Sequence, residues 1–400
     1  MALSTYDQIF SSKNLRETWK KLHADAKPSS RDTVGVDGES INTFKAEEAR
    51  CLRIIRDDLK SRKFSFSPLR AVLVPKSNGR DRLICVPTVT DRIVQRVLTN
   101  YLSEKYHKIL SNEISYGFIK RRNVHDAARR AIALREVSPW AFKTDITSFF
   151  DQIQREDVAR ALKREVRESS LHPLLIAAIN CEIQQTNTGH KKRINALGIK
   201  PGLGVRQGMP LSPLFANLVL LDFDQKLIKL GHKVIRYADD LIFFCSSQSE
   251  CEEISEHCRR LLADFKLTIP SIEEKSKSVI YAPNESAEFL GLNITPINNK
   301  YTLTLTTAQR EKIRQEILSL SSIDELLTRK ITLATVLPVV RAKINGFLDA
   351  YSICDDYENL AHELDSLGQK VLRRIYEEQL KIDLSKLDKK KHTFLGLRQT

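Results

Sequence analysis

KVIRYADDLIFFCS, residues 233–246, places two runs of β-branched and aromatic residues on either side of Ala238-Asp239-Asp240. That pattern predicts a tight hairpin with carboxylates at its tip. Upstream, WAFKTDI (140–146) reads as a short strand that runs into a polar turn and ends on Asp145. Strands lying side by side would gather three carboxylates from positions 94 residues apart (239 minus 145). Such a cluster cannot stay charged without cations. Hard oxygen ligands select Mg²⁺ or Mn²⁺, and two ions about 3.5–4 Å apart would clamp the attacking and leaving oxygens of an in-line phosphoryl transfer, the chemistry of nucleotidyl transfer. Taken singly, the pieces have plainer readings: Asp145 as a helix N-cap before ITSFFDQI, and Asp239-Asp240 as ordinary turn residues.

Outward from the hairpin, SPLFANLVLLDFDQKLIKL (212–230), opened by Ser212-Pro213, and HPLLIAAINCEIQQ (172–185) read as strong helices, as does SECEEISEHCRRLLADFKL (249–267). Residues 1 to about 65 read as helical segments around an irregular stretch, RDTVGVDGESINTF (31–44). From Pro68 the period changes: AVLVPK and RDRLICV flank Ser77, Asn78 and Gly79 as a hairpin, and the run from Asp91 to Leu110 then has helical spacing. A two-residue Asn78-Gly79 turn would turn Lys76 away from Arg82, whereas a three-residue loop with Gly79 left-handed puts both cations on one face, and the latter is expected. SVIYAP (278–283) reads as a strand, AEFLGLNI (287–294) follows, and beyond Thr306 the pattern is almost wholly helical. The expected class is α+β, divided into an N-terminal helical extension (1–65), a catalytic body (66–300) and a helical C-terminal region (301–400).

The order of the motifs is more specific than any one of them. PKSNGRDR, SYGFIKRRNVHDA, FKTDITSFFDQI, RQGMPLSPLFAN, RYADDLIFF, EEKSKS and EFLGL together resemble the fingers and palm of bacterial reverse transcriptases, particularly the group II intron lineage, over about residues 34 to 292. VGVDGESINTF and VPTVTDRIVQRVL are similar to that lineage as well. The resemblance implies a right-hand polymerase fold with fingers, palm and a C-terminal helical thumb, and an RNA-directed DNA polymerase using two Mg²⁺ ions (Mn²⁺ as a substitute). It implies Asp145, Ile146, Asp239 and Asp240 as the metal-holding positions, and Lys275, in preference to Lys277, as the cation beside the leaving pyrophosphate. Lys76 and Arg82 would grip the triphosphate of the incoming dNTP, Gln207 and Gly208 would border it, and Phe150 would bar a ribose 2′-OH. One of Phe149 and Phe150 is expected in the core and the other in the pocket. Arg206 stands where the family commonly has proline, which bears on the local backbone. FLGL (289–292) resembles the primer-grip segment.

The balance of 64 Lys+Arg against 50 Asp+Glu leaves a net charge of +14, which favours a polyanionic partner and salt-dependent binding. KRRNVHDAARR (120–130) and HKKRINALGIK (190–200) are candidate phosphate-tracking segments, with Tyr116 and Phe118 as stacking surfaces. Seven cysteines without a C-x-x-C pair point to neither zinc nor a disulfide framework, and so to a reducing cytosol. The N-terminus lacks an apolar h-region and no stretch has membrane-span length, so a cytoplasmic protein is expected. No Cys/His cluster or room for an endonuclease extension follows the helical region, so mobility by target cleavage is not expected, and the NAxxH and VTG elements of retron enzymes are missing. Family analogy gives the partners as an RNA template, in particular a dedicated non-coding RNA in antiphage defence, with a DNA product and a homo-oligomer or partner protein. Rival readings are RNA synthesis, template-independent addition and a catalytically silent, maturase-like RNA-binding protein.

Overall fold

The computed structural model describes residues 4–75, 81–184, 188–273 and 276–397. Two compact units divide the chain: Met1–Ala127 with Phe142–Ile280, and Ala128–Ala141 with Tyr281–Thr400.

In the first unit both arms of KVIRYADDLIFFCS are buried without a break, over Val234–Arg236 and Leu241–Cys245, as strands covered on both faces are. β1 (Arg70–Pro75) and β2 (Asp81–Val86) form an antiparallel ribbon; β3 (Trp140–Asp145), β4 (Val234–Tyr237), β5 (Asp240–Cys245) and β6 (Val279–Tyr281) form a sheet in the order β4-β5-β3-β6. β5 therefore lies between β4 and β3. Phe142 of β3 stacks on Phe243 of β5, ring centroids 5.8 Å apart, and both are fully buried. The helix Ser212–Lys229 is buried on nearly every side, which is why its sequence is apolar all round rather than striped. At the N-terminus the helices Ser12–Asp25 and Glu48–Lys60 pack around Trp19, whose ring lies 4.4 Å from that of Phe44 and whose Nε1 donates to Glu48.

Two local readings need correction or delimitation. The helix from His172 ends at Ile179, not Gln185. Residues 182–184 instead run extended beside Leu69, which donates to Glu182 O (2.8 Å) and accepts from Gln184 N (2.8 Å). Tertiary pairing overrides the helical spacing there because the strand partner satisfies those backbone groups. The loop 76–80, with Lys76 and Gly79, lies outside the described residues; up to its edge the ribbon pairs Val74 with Arg82 and Pro75 with Asp81, the register that the one-face arrangement needs.

In the second unit, β7 (Ala287–Phe289), β8 (Leu292–Ile297) and β9 (Lys300–Leu305) form a meander. The β7–β8 turn is Leu290-Gly291, both at positive φ (55° and 79°), as a two-residue hairpin of the primed type requires. Arg135, fully buried, donates to the carbonyls of Ala282, Glu285 and Ile294 and stacks on Tyr301. The helices Thr307–Leu318, Leu333–Ala350 and Tyr357–Arg374 follow, the last burying Leu360, Leu364, Leu367 and Val371 as one stripe. Among the described residues no helix is long and apolar enough to cross a membrane.

Candidate active site

Tyr237 pairs with Asp240 across the β4–β5 turn, so only Ala238 and Asp239 form the loop. Ala238 sits at φ +59°, a left-handed conformation that a residue with a Cβ adopts at a cost of about 1–2 kcal/mol. Close packing holds it there. Gly117, in the segment SYGF, abuts the turn so tightly that a Cβ on it would lie 2.3 Å from Ala238 N. Ile146, just past the end of β3, donates its N–H to Asp239 O (3.0 Å), joining the strand end that carries Asp145 to the hairpin tip.

Asp145 is buried, its Oδ2 paired with Lys277 Nζ and its Oδ1 without a partner. A buried carboxylate oxygen with no donor is costly and calls for a cation or donor. Burial, reinforced by the Asp145 charge, pushes the Asp239 carboxyl above the ordinary range. Burial first, then the adjacent Asp239 charge, pushes Asp240 up to about 6. Arg82 and Lys277 oppose the rise at Asp239, and Lys143 and Lys277 oppose it at Asp240. The arrangement is one of repelling, desolvated carboxylates short of positive charge. As they stand, no three acidic, imidazole or thiol side chains among the described residues are gathered closely enough to hold an ion. The donor set nevertheless suits a hard divalent cation: carboxylate oxygens, one of them orphaned, beside the main chain at Ile146, whose side chain is in the core.

The segment that supplies Lys277 is laced to β3. Ser278 Oγ donates to Pro270 O (2.7 Å) and is therefore the acceptor for Thr144 Oγ1 (2.7 Å), while Thr147 N donates to Thr268 O (2.9 Å). Lys275, the cation expected beside the leaving group, lies outside the described residues.

Phe149 is buried and Phe150 half-buried, their rings edge to face at 5.5 Å. Phe150 O accepts from Val205 N (2.8 Å), tying this turn to the RQGMPLSP segment. Gln207 O accepts from Cys85 N (2.7 Å), and Gly208, at φ +104°, leaves no room for a Cβ, which would stand 2.3 Å from Cys85 O. Arg206, in the place of the family's proline, is buried and donates to Glu182 Oε2 (2.9 Å) and Lys200 O (3.0 Å). Arg155, also buried, donates to Glu182 Oε1 (2.7 Å) and Gly204 O (2.9 Å), so one glutamate joins two arginines under the segment.

The basic stretch after Phe118 is partly neutralised. Lys120 and Arg121 both pair with Glu104, and Arg122 donates to the carbonyls of Asn112 and Ser115 and stacks on Tyr116. Phe118 is 55% exposed. In the second basic stretch Arg193 pairs with Asp81 (2.7 Å).

Sequence reasoning missed Arg236 and Asp224, both fully buried and joined by two hydrogen bonds (2.7 and 2.5 Å). A signal was present only at Arg236, a lone charge in the otherwise apolar run VIRYA; Asp224, two residues after Asp222 and two before Lys226, reads as part of the polar end of its helix.

Comparison with known proteins accords with this geometry. The family profile described as "Reverse transcriptase (RNA-dependent DNA polymerase)" matches residues 74–294. Protein YkfC of Escherichia coli (strain K12) is 28% identical over 339 residues, covering 73% of this chain and 84% of that protein. The group II intron-encoded protein LtrA of Lactococcus lactis subsp. cremoris is 23% identical over 63% of this chain and 40% of its own length. The Retron Ec73 reverse transcriptase of Escherichia coli is 24% identical over 62% of this chain and 74% of its own. With more than half of its 400 residues matched, the chain belongs to the reverse transcriptase (RNA-dependent DNA polymerase) family and has that family's α+β right-hand fold.

Proposed function

We propose that the chain extends a 3′-OH, or a protein hydroxyl, with dNTPs on an RNA template by two-metal nucleotidyl transfer. The observation that carries this is the juncture of the β3 end with the β4–β5 tip, where Asp145 Oδ1 is orphaned and Asp239 and Asp240 are desolvated side by side. Two Mg²⁺ ions, when bound, supply the charge that activates the attacking hydroxyl and offsets the leaving pyrophosphate. Asp145, Asp239, Asp240 and the main-chain carbonyl of Ile146 would hold them. Lys277, which pairs with Asp145 Oδ2, would together with Lys275 serve as a cation for the departing phosphates. Arg82, with Lys76, binds the triphosphate, and the partly exposed ring of Phe150 excludes a 2′-OH. Gly208 lets the Gln207 backbone lie against β2, which fixes the floor of the nucleotide site.

The test is Mg²⁺-dependent dNTP incorporation by the purified chain with its copurifying RNA. Incorporation should fall by about 10³-fold or more in Asp239→Ala and Asp145→Ala. Full activity in either variant, or an inert parent with every dNTP in Mg²⁺ and Mn²⁺, overturns the reading. For the template we propose a dedicated non-coding RNA and a setting in antiphage defence. Support comes from the resemblance to compact bacterial reverse transcriptases, and sequencing of the copurifying RNA and of any DNA attached to it is the check.

A further inference from the structure

Arg236 lies on β4 two residues before the Ala238-Asp239 turn, and none of the steps above uses it. All five of its N–H groups are occupied: Nε on Asp224 Oδ1 (2.7 Å), Nη2 on Asp224 Oδ2 (2.5 Å) and Ser115 Oγ (2.8 Å), and Nη1 on Asn217 Oδ1 (3.0 Å) and Ala238 O (3.1 Å). Asn217 in turn donates to Gly117 O (3.0 Å), and Asn112 donates to Asp224 Oδ2 (2.7 Å). Main-chain bonds run alongside: Arg236 N donates to Ile114 O (2.7 Å) and Tyr116 N to Arg236 O (2.8 Å).

We propose that Arg236 is a positioning residue for the catalytic turn, its Nη1 bond to Ala238 O fixing the left-handed alanine and so the placement of Asp239. The inference rests on the reading of Asp239 as a metal ligand. Neutralising Asp224 takes one edge of the guanidinium; the opposite edge is spent on the carbonyl of the residue preceding the ligand. A buried ion pair of this kind is often replaceable by apolar side chains without loss of stability. Its geometry, rather than its charge, is then what the turn needs. Ala238 has no side chain to lock its own conformation, and Gly117, the residue that backs it, is itself held through Asn217 by the same guanidinium. Arg236 thus clamps the turn from both sides.

Three variants of the full chain test this: Arg236→Lys, which keeps charge but loses the planar fork; Arg236→Met with Asp224→Leu, which removes both charges together; and Asn217→Ala, which leaves the ion pair untouched. The readouts are cooperative thermal unfolding, hydrogen exchange at the Ile146 amide, Mn²⁺ affinity by electron paramagnetic resonance without dNTP, and the split between kcat and dNTP KM. In folded Arg236→Lys and in the folded double variant, kcat and Mn²⁺ affinity should each fall about tenfold or more, with dNTP KM changed less than about threefold. The Ile146 amide, bonded to Asp239 O, should exchange about tenfold faster while the amides of Phe142 and Phe243 keep their protection. Asn217→Ala should shift Mn²⁺ affinity and Ile146 exchange in the same direction by about threefold. Parental Mn²⁺ affinity and Ile146 exchange in any folded variant overturn the proposal. If Asp239→Ala is inactive while Arg236→Lys is parental, this inference fails alone; if Asp239→Ala is active, the metal-ligand reading fails first.

Discussion

Asp91 is almost fully buried near the start of the helix Val89–Lys105, its carboxylate accepting from Ser67 N (3.1 Å). Burial is the main cause that pushes it up to about 6 from 3.8; Asp37 adds to the rise, and the bonds from Thr88 and Ser67 oppose it. A raised carboxyl means that the folded state binds the proton more tightly than the unfolded chain. The associated stability is fully present below about pH 4, declines as pH rises, and is gone above about pH 6. Asp91→Asn should therefore leave stability unchanged near pH 4 and raise it at pH 7.5 by about 2–3 kcal/mol. Urea unfolding at the two pH values measures this, and a variant no more stable than the parent at pH 7.5 would refute it. Phe150 is the residue on which the choice of sugar turns. Phe150→Ala should narrow the preference for dNTPs over NTPs by about 10–100-fold, read as the ratio of the two kcat/KM values. An unchanged ratio would return Phe150 to a packing role.

At the scale of elements, two glycines allow close backbone approaches, Gly117 to the β4–β5 turn and Gly208 to β2. Gly117→Ala puts a Cβ 2.3 Å from Ala238 N, and Gly208→Ala puts one 2.3 Å from Cys85 O at a φ that L side chains rarely adopt. Backbone is the obstacle in both, so neither clash is relieved by a rotamer change. Each should cost about 3 kcal/mol in thermal or urea unfolding and lower kcat, and a neutral Gly117→Ala would mean the turn is looser than it stands. These elements also mark what the sequence discloses. Asp239-Asp240 in a hairpin and Asp145 ending a strand were legible because short β-branched and aromatic runs bounded by turn residues are local signals. The close approach of Gly117 to Ala238 was not, since the contact joins segments more than a hundred residues apart and leaves no mark except the glycine itself. The helix at His172 was read too long for a related reason: its last residues have helical spacing, yet Leu69 offers them a strand partner that no local pattern announces. Arg236 lay between these cases, visible as an isolated charge in VIRYA, while its partner Asp224 was masked by its charged neighbours Asp222 and Lys226 until the helix Ser212–Lys229 lay beside β4.

For the whole molecule the decisive quantity is charge. A net +14 attracts RNA, and neutralising about six phosphates of a single strand gives a log–log salt slope near −4, or about a 300-fold loss of affinity between 50 and 200 mM salt. Not every cation is available for that purpose. Glu104 holds Lys120 and Arg121 together, and the Coulomb pull of those partners, with the Lys120 hydrogen bond foremost, keeps its carboxyl below the usual range. The pairs are solvent-exposed, so breaking them should cost little stability. Glu104→Gln removes one negative charge and frees two positive ones beside the exposed ring of Phe118. If SYGFIKRR borders the nucleic acid, the variant should bind single-stranded RNA several-fold more tightly at about 100 mM salt, with the salt slope steeper by about 1. Fluorescence anisotropy titrations at four salt concentrations give both numbers. Affinity and slope equal to the parent's would place this basic stretch away from the RNA and move the phosphate-tracking role to other cations of the chain.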